Sequence, residues 1–206
     1  MLKIWGRRNS INVQKVLWAA EFCGLPYDSI EVGGAFGGTD TPQYLAMNPN
    51  TVVPTLQDGD LTLWESNSIV RYLAARYGKD GFYPGDAAIR SRAERWMDWQ
   101  LSTLGMPMRD LFWGYIRTPP EKRDPAALQR ALAAASATFR ILDAHLADNA
   151  FVAGDAFTMG DVPVGCFTYR WFSLPLDRPD LPHLWRWYER LQAMAGYRKH
   201  VMVTMT

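Results

Sequence analysis

Cysteine is scarce in this sequence, with two cysteines, Cys23 and Cys166, among 206 residues. They lie far apart, and neither belongs to a C-x-x-C pair, so the sequence indicates neither a disulfide framework nor a zinc site. We expect both to be buried apolar residues and expect the protein to use no metal.

An excess of charge of one sign and long apolar runs are also absent. The chain has 22 basic and 21 acidic side chains and a net charge of +1, which gives no electrostatic footprint for nucleic acid or an anionic membrane. No apolar stretch reaches about 18 residues, and "MLKIWGRRNS" lacks an apolar run followed by a cleavage site. We expect a cytoplasmic protein with no nucleic-acid or membrane partner.

Apolar residues are plentiful, at 48% of the chain, and support either one large domain or two small ones. The first third alternates strand and helix patterns: "LKIW" predicts a strand, "NVQKVLWAAEFCG" predicts a helix that ends at Gly24, and "YDSIEV" predicts a second strand. Strand, helix and strand together indicate a right-handed crossover with parallel strands.

The stretch "NTVVPTLQDGDLTLWES" predicts a β-hairpin, because its leucines alternate with polar residues around an Asp58-Gly59 turn. Pro54 stands where the first of these strands begins. Proline has no N–H for the sheet, so it must lie at an edge, at a strand start or in a cis turn.

Two further helices complete this part of the chain. "TPQYLAMNP" predicts a short helix with Thr41 as N-cap and Pro42 at its first position, and "SNSIVRYLAARYG" predicts a helix that stops at Gly78. The order is therefore β-α-β followed by β-β-α, and we place a first domain at residues 1–78.

The pattern changes at "KDGFYPGD", which predicts a linker over residues 79–88 and an all-helical domain over 89–206. A helix from about Ala87 to Tyr115 is expected to break or bend near Gly105–Pro107.

Cap signals mark the later helices of the second domain. Asp124 precedes a long apolar periodicity, and in "FTMGDV" Thr158 can cap the amide of Asp161, Asp161 can reach back, and Phe157 can staple onto Val162. "PHLWRWYERLQAM" predicts the last clear helix.

These elements, in this order, resemble the cytosolic glutathione S-transferases. The residues that carry the resemblance are "NPNTVVPTL", "LWESNSIVRYLAARYG" and "FTMGD", and the first loop and "RTPPEKRD" look most like a bacterial branch close to the theta and nu classes. The resemblance covers essentially the whole chain. It implies an α/β thioredoxin-like domain followed by an all-helical bundle domain, glutathione as co-substrate, and a homodimer.

The resemblance also implies a glutathione site. Pro54 would be cis, so that the backbone of Val53 hydrogen-bonds the cysteine of glutathione as an added strand would. Glu65 and Ser66 match the pair that holds the γ-glutamyl end, with Asn67 beside them. On the residues alone, Ser66 could equally be only a helix cap.

The chemistry requires donors to sulfur, because a thiol with pKa near 8.5 is only a few per cent thiolate at pH 7. Ser10 and Asn12 match the hydroxyl and asparagine residues of the theta-like and nu-like classes, and we predict that one or both contact the sulfur. The alternative is that they only cap the first helix.

One position departs from the family pattern. Many relatives carry a basic residue two before the proline, to bind the glycine carboxylate of glutathione, where this chain has Val52. Arg7, Arg8 or the "GGAFGGTD" loop could compensate.

The pocket for the electrophile is expected between the domains. We assign it the residues Arg7, Met108, Arg109, Phe112, Trp113 and Tyr115. A stripe of aromatic residues and methionine is also typical of a helix core, and this alternative stays open.

The predicted function is that of a glutathione transferase acting on small electrophiles such as organic halides or activated alkenes. The alternatives are a glutathione-dependent disulfide reductase or peroxidase, and a non-catalytic binding protein that kept the fold.

Overall fold

A four-stranded mixed sheet forms the centre of the first part of the chain in the computed structural model, which describes residues 1–79 and 81–206. Its strands are β1 (Leu2–Trp5), β2 (Tyr27–Ile30), β3 (Thr55–Asp58) and β4 (Leu61–Trp64). The spatial order is β2-β1-β3-β4, with β1 parallel to β2 and β3 antiparallel to both its neighbours. The predicted β-α-β and β-β-α arrangement is confirmed.

The hairpin turn lies one residue later than predicted. Asp58 pairs with Leu61, so Gly59 and Asp60 form the turn, and Gly59 takes the positive φ of 58°. The carboxylate of Asp58 accepts hydrogen bonds from the hydroxyls of Tyr72 and Tyr77, each at 2.6 Å, and these contacts hold Asp58 in the strand.

Three helices accompany the sheet: α1 (Ile11–Phe22), α2 (Pro42–Met47) and α3 (Ser66–Tyr77). Helix α1 is buried on nearly every side, since all residues from Val13 to Ala20 are buried. In α2 the Tyr44 N–H donates to the Thr41 hydroxyl at 3.3 Å, as the predicted N-cap requires.

The rest of the chain is helical. Its α-helices are α4 (Ala87–Trp99), α5 (Gly105–Phe112), α6 (Pro125–His145), α7 (Asp161–Ser173), α8 (Pro182–Ala193) and α9 (Ala195–His200). The six-residue α9 was not predicted. Among the described residues, no helix is both long and apolar enough to cross a bilayer.

The predicted break near Gly105–Pro107 is instead a π-helical widening over Gln100–Leu104. Pro107 has no N–H to donate to the preceding turn, and the helix widens just before it without breaking. A second π-helical segment, Trp113–Arg117, follows α5 and ends this continuous helical stretch.

Asp161 lies fully buried at the start of α7 and accepts four hydrogen bonds. The donors are Val152 N and Trp187 Nε1 to Oδ1, at 2.9 and 3.0 Å, and the Thr158 amide and hydroxyl to Oδ2, at 2.9 and 3.2 Å. Asp161 thus reaches back as predicted. The Thr158 hydroxyl, however, accepts from Gly160 N, because a tight turn pairs the Asp161 amide with the Thr158 carbonyl.

Aromatic packing joins the two parts of the chain. Phe157 contacts Phe22 and Trp18 of α1, with ring centroids 4.9 and 5.3 Å apart, and stacks on Phe82 at 5.7 Å. Helix α1 also packs against α3, α7 and α9. Both cysteines are buried and unpaired, as expected.

Candidate functional site

A cleft of about 330 Å³ separates the first loop from the π-helical and α5 segments. It is lined by Arg7, Asn9, Ser10, Ile11, Asn12, Gln100, Leu101, Gly105, Arg109, Phe112, Trp113, Arg117, Phe167 and Arg170. A smaller recess of about 260 Å³ adjoins it and is lined by Arg7, Ser10, Asn12, Gly33, Gly34, Thr39, Thr51, Val52 and Val53. Arg7, Ser10 and Asn12 therefore face both spaces.

Ser10 stands at the N-cap position of α1, immediately between the recess and the cleft. Its side chain makes no capping hydrogen bond, so helix capping does not account for its hydroxyl. Asn12 is exposed in the first turn, and its Oδ1 accepts a hydrogen bond from the Ser66 hydroxyl at 3.3 Å. The structure thus brings the start of α1, with Ser10 and Asn12, next to the start of α3, with Ser66. Amides at a helix N-terminus favour an anion.

The segment before β3 presents a backbone edge to the recess. The Val53–Pro54 peptide bond is cis. The Val52 carbonyl accepts from Tyr44 Oη at 2.7 Å and Asn48 Nδ2 at 2.8 Å, which fixes the segment. Among the described residues, neither backbone group of Val53 has a hydrogen-bond partner, so both remain available for an added extended peptide.

Glu65 occupies the corner between β4 and α3 with a φ of 70°, a conformation uncommon for residues other than glycine. Its side chain is exposed and has no hydrogen-bond partner in the described part of the chain. The following residue, Ser66, is buried and begins α3. Backbone strain of this kind often accompanies functional residues, and here it is at a residue with an exposed carboxylate at the start of α3.

A fully buried lysine, Lys15, lies beneath this corner and was not anticipated from the sequence. Its ammonium donates to Gln100 Oε1 at 2.8 Å, to Asn67 Oδ1 at 3.3 Å and to Ser66 Oγ at 3.4 Å. Burial lowers the pKa of Lys15 to about 8, and Glu65 partly opposes that shift. The available signal was a lysine followed directly by the apolar run "VLWAA".

Asn67 belongs to the same internal network. Its Nδ2 donates to the Met97 carbonyl at 2.9 Å and to Gln100 Oε1 at 3.4 Å, and its Oδ1 accepts from Lys15. The structure does not bring this side chain to either space. Asn67 therefore connects α3 to α4 and supports Ser66 from below.

The cleft contains four of the six residues predicted for the electrophile pocket: Arg7, Arg109, Phe112 and Trp113. Met108 is fully buried in the core. Tyr115 lies outside the cleft, where Arg123 packs on its ring and donates to its carbonyl at 2.8 Å. For these two residues the structure favours the core alternative.

Sequence reasoning missed other residues that line the cleft, among them Phe167, Arg117 and Arg170. Arg170 interrupts the apolar helix sequence "VPVGCFTYRWF", which was the signal available. Phe167 and Arg170 come from α7, and their place at the cleft depends on how α7 packs against α1 and α5.

Comparisons with known proteins agree with this architecture. Residues 1–75 match the family model described as Glutathione S-transferase, N-terminal domain, and residues 125–190 match Glutathione S-transferase, C-terminal domain. Among curated proteins, the chain is 44% identical to Glutathione S-transferase GstB of Escherichia coli, with 100% of each chain covered. It is 28% identical to Glutathione S-transferase 3 of Zea mays, covering 97% of this chain and 93% of the relative.

A solved structure is closer still in sequence. The theta class glutathione S-transferase of Xanthomonas axonopodis pv. citri, with glutathione bound, is 54% identical and has a TM-score of 0.96 over 100% of this chain and 99% of that one. The two matched models lie in the order N-terminal domain then C-terminal domain, and this Xanthomonas enzyme and the Escherichia coli relative are each covered over nearly their whole length. The chain therefore belongs to the glutathione S-transferase family of enzymes.

Proposed function

We propose that this enzyme binds glutathione across the recess and the Glu65 corner, and that Ser10, aided by Asn12, stabilises its thiolate for attack on a small electrophile. The observation that carries the proposal is the Ser10 hydroxyl, which lies between the two spaces without a capping bond. The electrophile, an organic halide or an activated alkene, enters the cleft. The similar Xanthomonas enzyme, whose structure holds glutathione, supports this assignment.

The contacts to glutathione follow from the groups left free. The backbone of Val53 pairs with the cysteine of the tripeptide, Glu65 accepts from its ammonium, and Ser66 with the first amides of α3 receives the γ-glutamyl carboxylate. Of the described residues that line the recess, Arg7 alone is basic, and we assign it to the glycine carboxylate in place of the basic residue that many relatives carry at the position of Val52. Arg8 lies outside both spaces and faces Glu31 at 3.8 Å.

The Arg7 side chain packs closely against Gly34, which lines the recess. A Cβ added to Gly34 would lie 3.0 Å from Arg7 Cδ and 3.1 Å from its Nε. A larger residue at this position would therefore crowd the Arg7 side chain, and the φ of 59° would itself disfavour it.

A transfer reaction fits the site better than thiol redox chemistry on the protein. Cys23 and Cys166 are buried, and neither lines the cleft or the recess. Burial raises the pKa of Cys166 to about 12, which keeps it a neutral thiol. A homodimer and a cytoplasmic location, both implied by the family, complete the proposal.

Calorimetry with glutathione and S-hexylglutathione tests the binding step, and turnover of 1-chloro-2,4-dinitrobenzene tests transfer. We expect both ligands to bind and the aryl halide to react faster than a mixed disulfide or hydroperoxide. Faster reduction of the disulfide would favour the redox alternative, and absence of binding would contradict the proposal.

The Ser10→Ala variant is expected to raise the pKa of the bound thiol by about one to two units, since one charge-assisted hydrogen bond is worth about 1.5–3 kcal/mol and one pKa unit corresponds to about 1.4 kcal/mol. The ultraviolet absorbance of the thiolate, titrated against pH with glutathione saturating, measures this shift. Asn12→Ala is the companion variant. An unchanged thiol pKa in both would contradict the assigned roles.

The Lys15→Met variant is expected to weaken glutathione binding by about 10-fold while the protein stays folded. The lost ammonium no longer attracts the γ-glutamyl carboxylate at Ser66, whereas a methionine of similar volume fills the buried space. Calorimetry gives the affinity, and thermal unfolding gives the control. Unchanged affinity in a folded variant would show that the lysine is only structural.

A further inference from the structure

The cleft carries an unbalanced positive charge. Among the residues that the structure describes, four arginines line it and no acidic residue does. Arg109 is paired with Asp110 at 3.0 Å on the exposed side of α5. Among the described residues, the other three, Arg7, Arg117 and Arg170, form no ion pair and no side-chain hydrogen bond.

Arg170 has the least favourable environment of the three. It is only 8% exposed, and its Cζ lies 3.9 Å from the ring centroid of Phe112. The ring faces the cation favourably, but it cannot satisfy five N–H donors. Burying an unpaired charge is costly, and an anion bound beside it would reduce this cost. Such an arginine at a cleft wall is therefore suited to bind an anion.

Arg117 is the second arginine of the cleft that lies beside the Phe112 ring. Its Cζ is 5.7 Å from the same Phe112 ring, and its own side chain is exposed. Burial lowers the pKa of Arg170 to about 10, and Arg117 and Arg7 contribute to the shift. The three guanidinium groups therefore repel one another, and a bound anion would relieve all of them.

We propose that the electrophilic second substrate of this enzyme is an anion, with a carboxylate or sulfonate group that Arg170 and Arg117 bind. The inference rests on the proposed function, in which Arg7 is occupied by the glycine carboxylate of glutathione. Trp113 and Phe167 line the same cleft and provide surface for an aromatic or apolar body. The reacting carbon then points toward the sulfur held at Ser10.

A matched pair of aryl halides tests this, namely 4-chloro-3-nitrobenzoate and 4-chloro-3-nitrobenzamide. In each reaction the thiolate sulfur bonds to carbon 4, chloride leaves with the electron pair, and the thiol proton goes to solvent. The amide reacts faster without enzyme, so kcat/KM is divided by the rate constant of the uncatalysed reaction with glutathione. We expect the corrected value to favour the benzoate by about 10-fold or more.

The Arg170→Gln variant is expected to lower kcat/KM for the benzoate by about 10- to 100-fold and to change that for the benzamide little. Arg117→Gln, at an exposed position, gives a smaller loss and serves if Arg170→Gln does not fold. Arg140→Gln removes the same charge from an exposed site of α6 outside the cleft and should leave both substrates unaffected. Equal losses for benzoate and benzamide in Arg170→Gln would overturn the proposal.

Binding of the unreactive 3-nitrobenzoate and 3-nitrobenzamide, followed by calorimetry, separates this inference from the function. Suppose that neither aryl halide is turned over, but that nitrobenzoate binds more tightly than nitrobenzamide and loses this advantage in Arg170→Gln. The anion site then stands and the proposed transfer fails. If the halides react with no preference for the anion, and nitrobenzamide binds as tightly as nitrobenzoate, the transferase proposal stands and the anion site is wrong.

Discussion

Replacing Glu65 with glutamine is expected to raise the dissociation constant of glutathione by about 10- to 100-fold, and isothermal calorimetry would measure the change. The physical reason is the loss of a charge-assisted hydrogen bond to the ligand ammonium, worth about 1.5–3 kcal/mol. Glutamine keeps the length of the side chain, so the corner at φ 70° is perturbed as little as any replacement allows.

The exposure of Glu65 makes this variant informative. Its carboxylate has no partner among the described residues, so its loss removes no internal hydrogen bond, and stability should change by no more than about 0.5 kcal/mol. Glu189→Gln, an exposed residue of α8, is the matched control for net charge. If Glu65→Gln binds glutathione as tightly as the control does, the γ-glutamyl end is held elsewhere.

The free energy of unfolding of the Asp161→Ala variant is expected to be lower by about 3–5 kcal/mol, because the substitution leaves buried N–H donors without a hydrogen-bond acceptor. For a chain of this size that corresponds to a fall in Tm on the order of 10 °C. Val152 N, Thr158 N and Trp187 Nε1 each lose their partner. Thermal and urea unfolding followed by circular dichroism would measure the loss.

The destabilisation caused by Asp161→Ala should also depend on pH. Burial raises the pKa of Asp161 to about 6 from its ordinary 3.8, although its donors oppose the shift. A raised acid pKa means that the carboxyl group stabilises the fold most when it is protonated. Its contribution to the free energy of unfolding therefore decreases as pH rises through about 6. The destabilisation of Asp161→Ala should therefore be larger near pH 5 than near pH 8.

Asp155→Ala removes an exposed carboxylate from the same loop and should cost less than about 0.5 kcal/mol. Asp161→Asn keeps the volume but turns an amide N–H₂ toward donors, so it should also be strongly destabilising. A small loss in both Asp161 variants would contradict the role given to the network.

Local rules predicted most of the first domain and the start of α6. The alternation of "LKIW" and "YDSIEV", the helical face after the first loop, and the Thr41 and Asp124 caps each depend on neighbouring residues, and the structure reproduces them. The turn moved by one residue because Tyr72 and Tyr77, distant in sequence, hold Asp58.

The composition of the site was harder to predict because it depends on contacts between domains. Ser10, Val53 and Ser66 were selected from one family pattern, whereas Arg170 reaches the cleft only through the packing of α7. Likewise, the apolar periodicity of α1 gave no reason to bury Lys15. The cost of burying its ammonium group is offset by hydrogen bonds to the side-chain oxygens of Gln100 and Asn67, which belong to other helices.

The burial of α1 on nearly every side bears on how this enzyme can be dissected. The helix starts just after Ser10, the residue proposed to hold the sulfur, and packs against α3, α7 and α9. If the first 78 residues were expressed alone, Trp18 would lose its contacts with Phe157 and Tyr197 and become exposed to water, and aggregation would compete with folding. The thioredoxin-like part is thus not a portable module, and chimaeras between relatives should exchange α1 together with the helices that cover it.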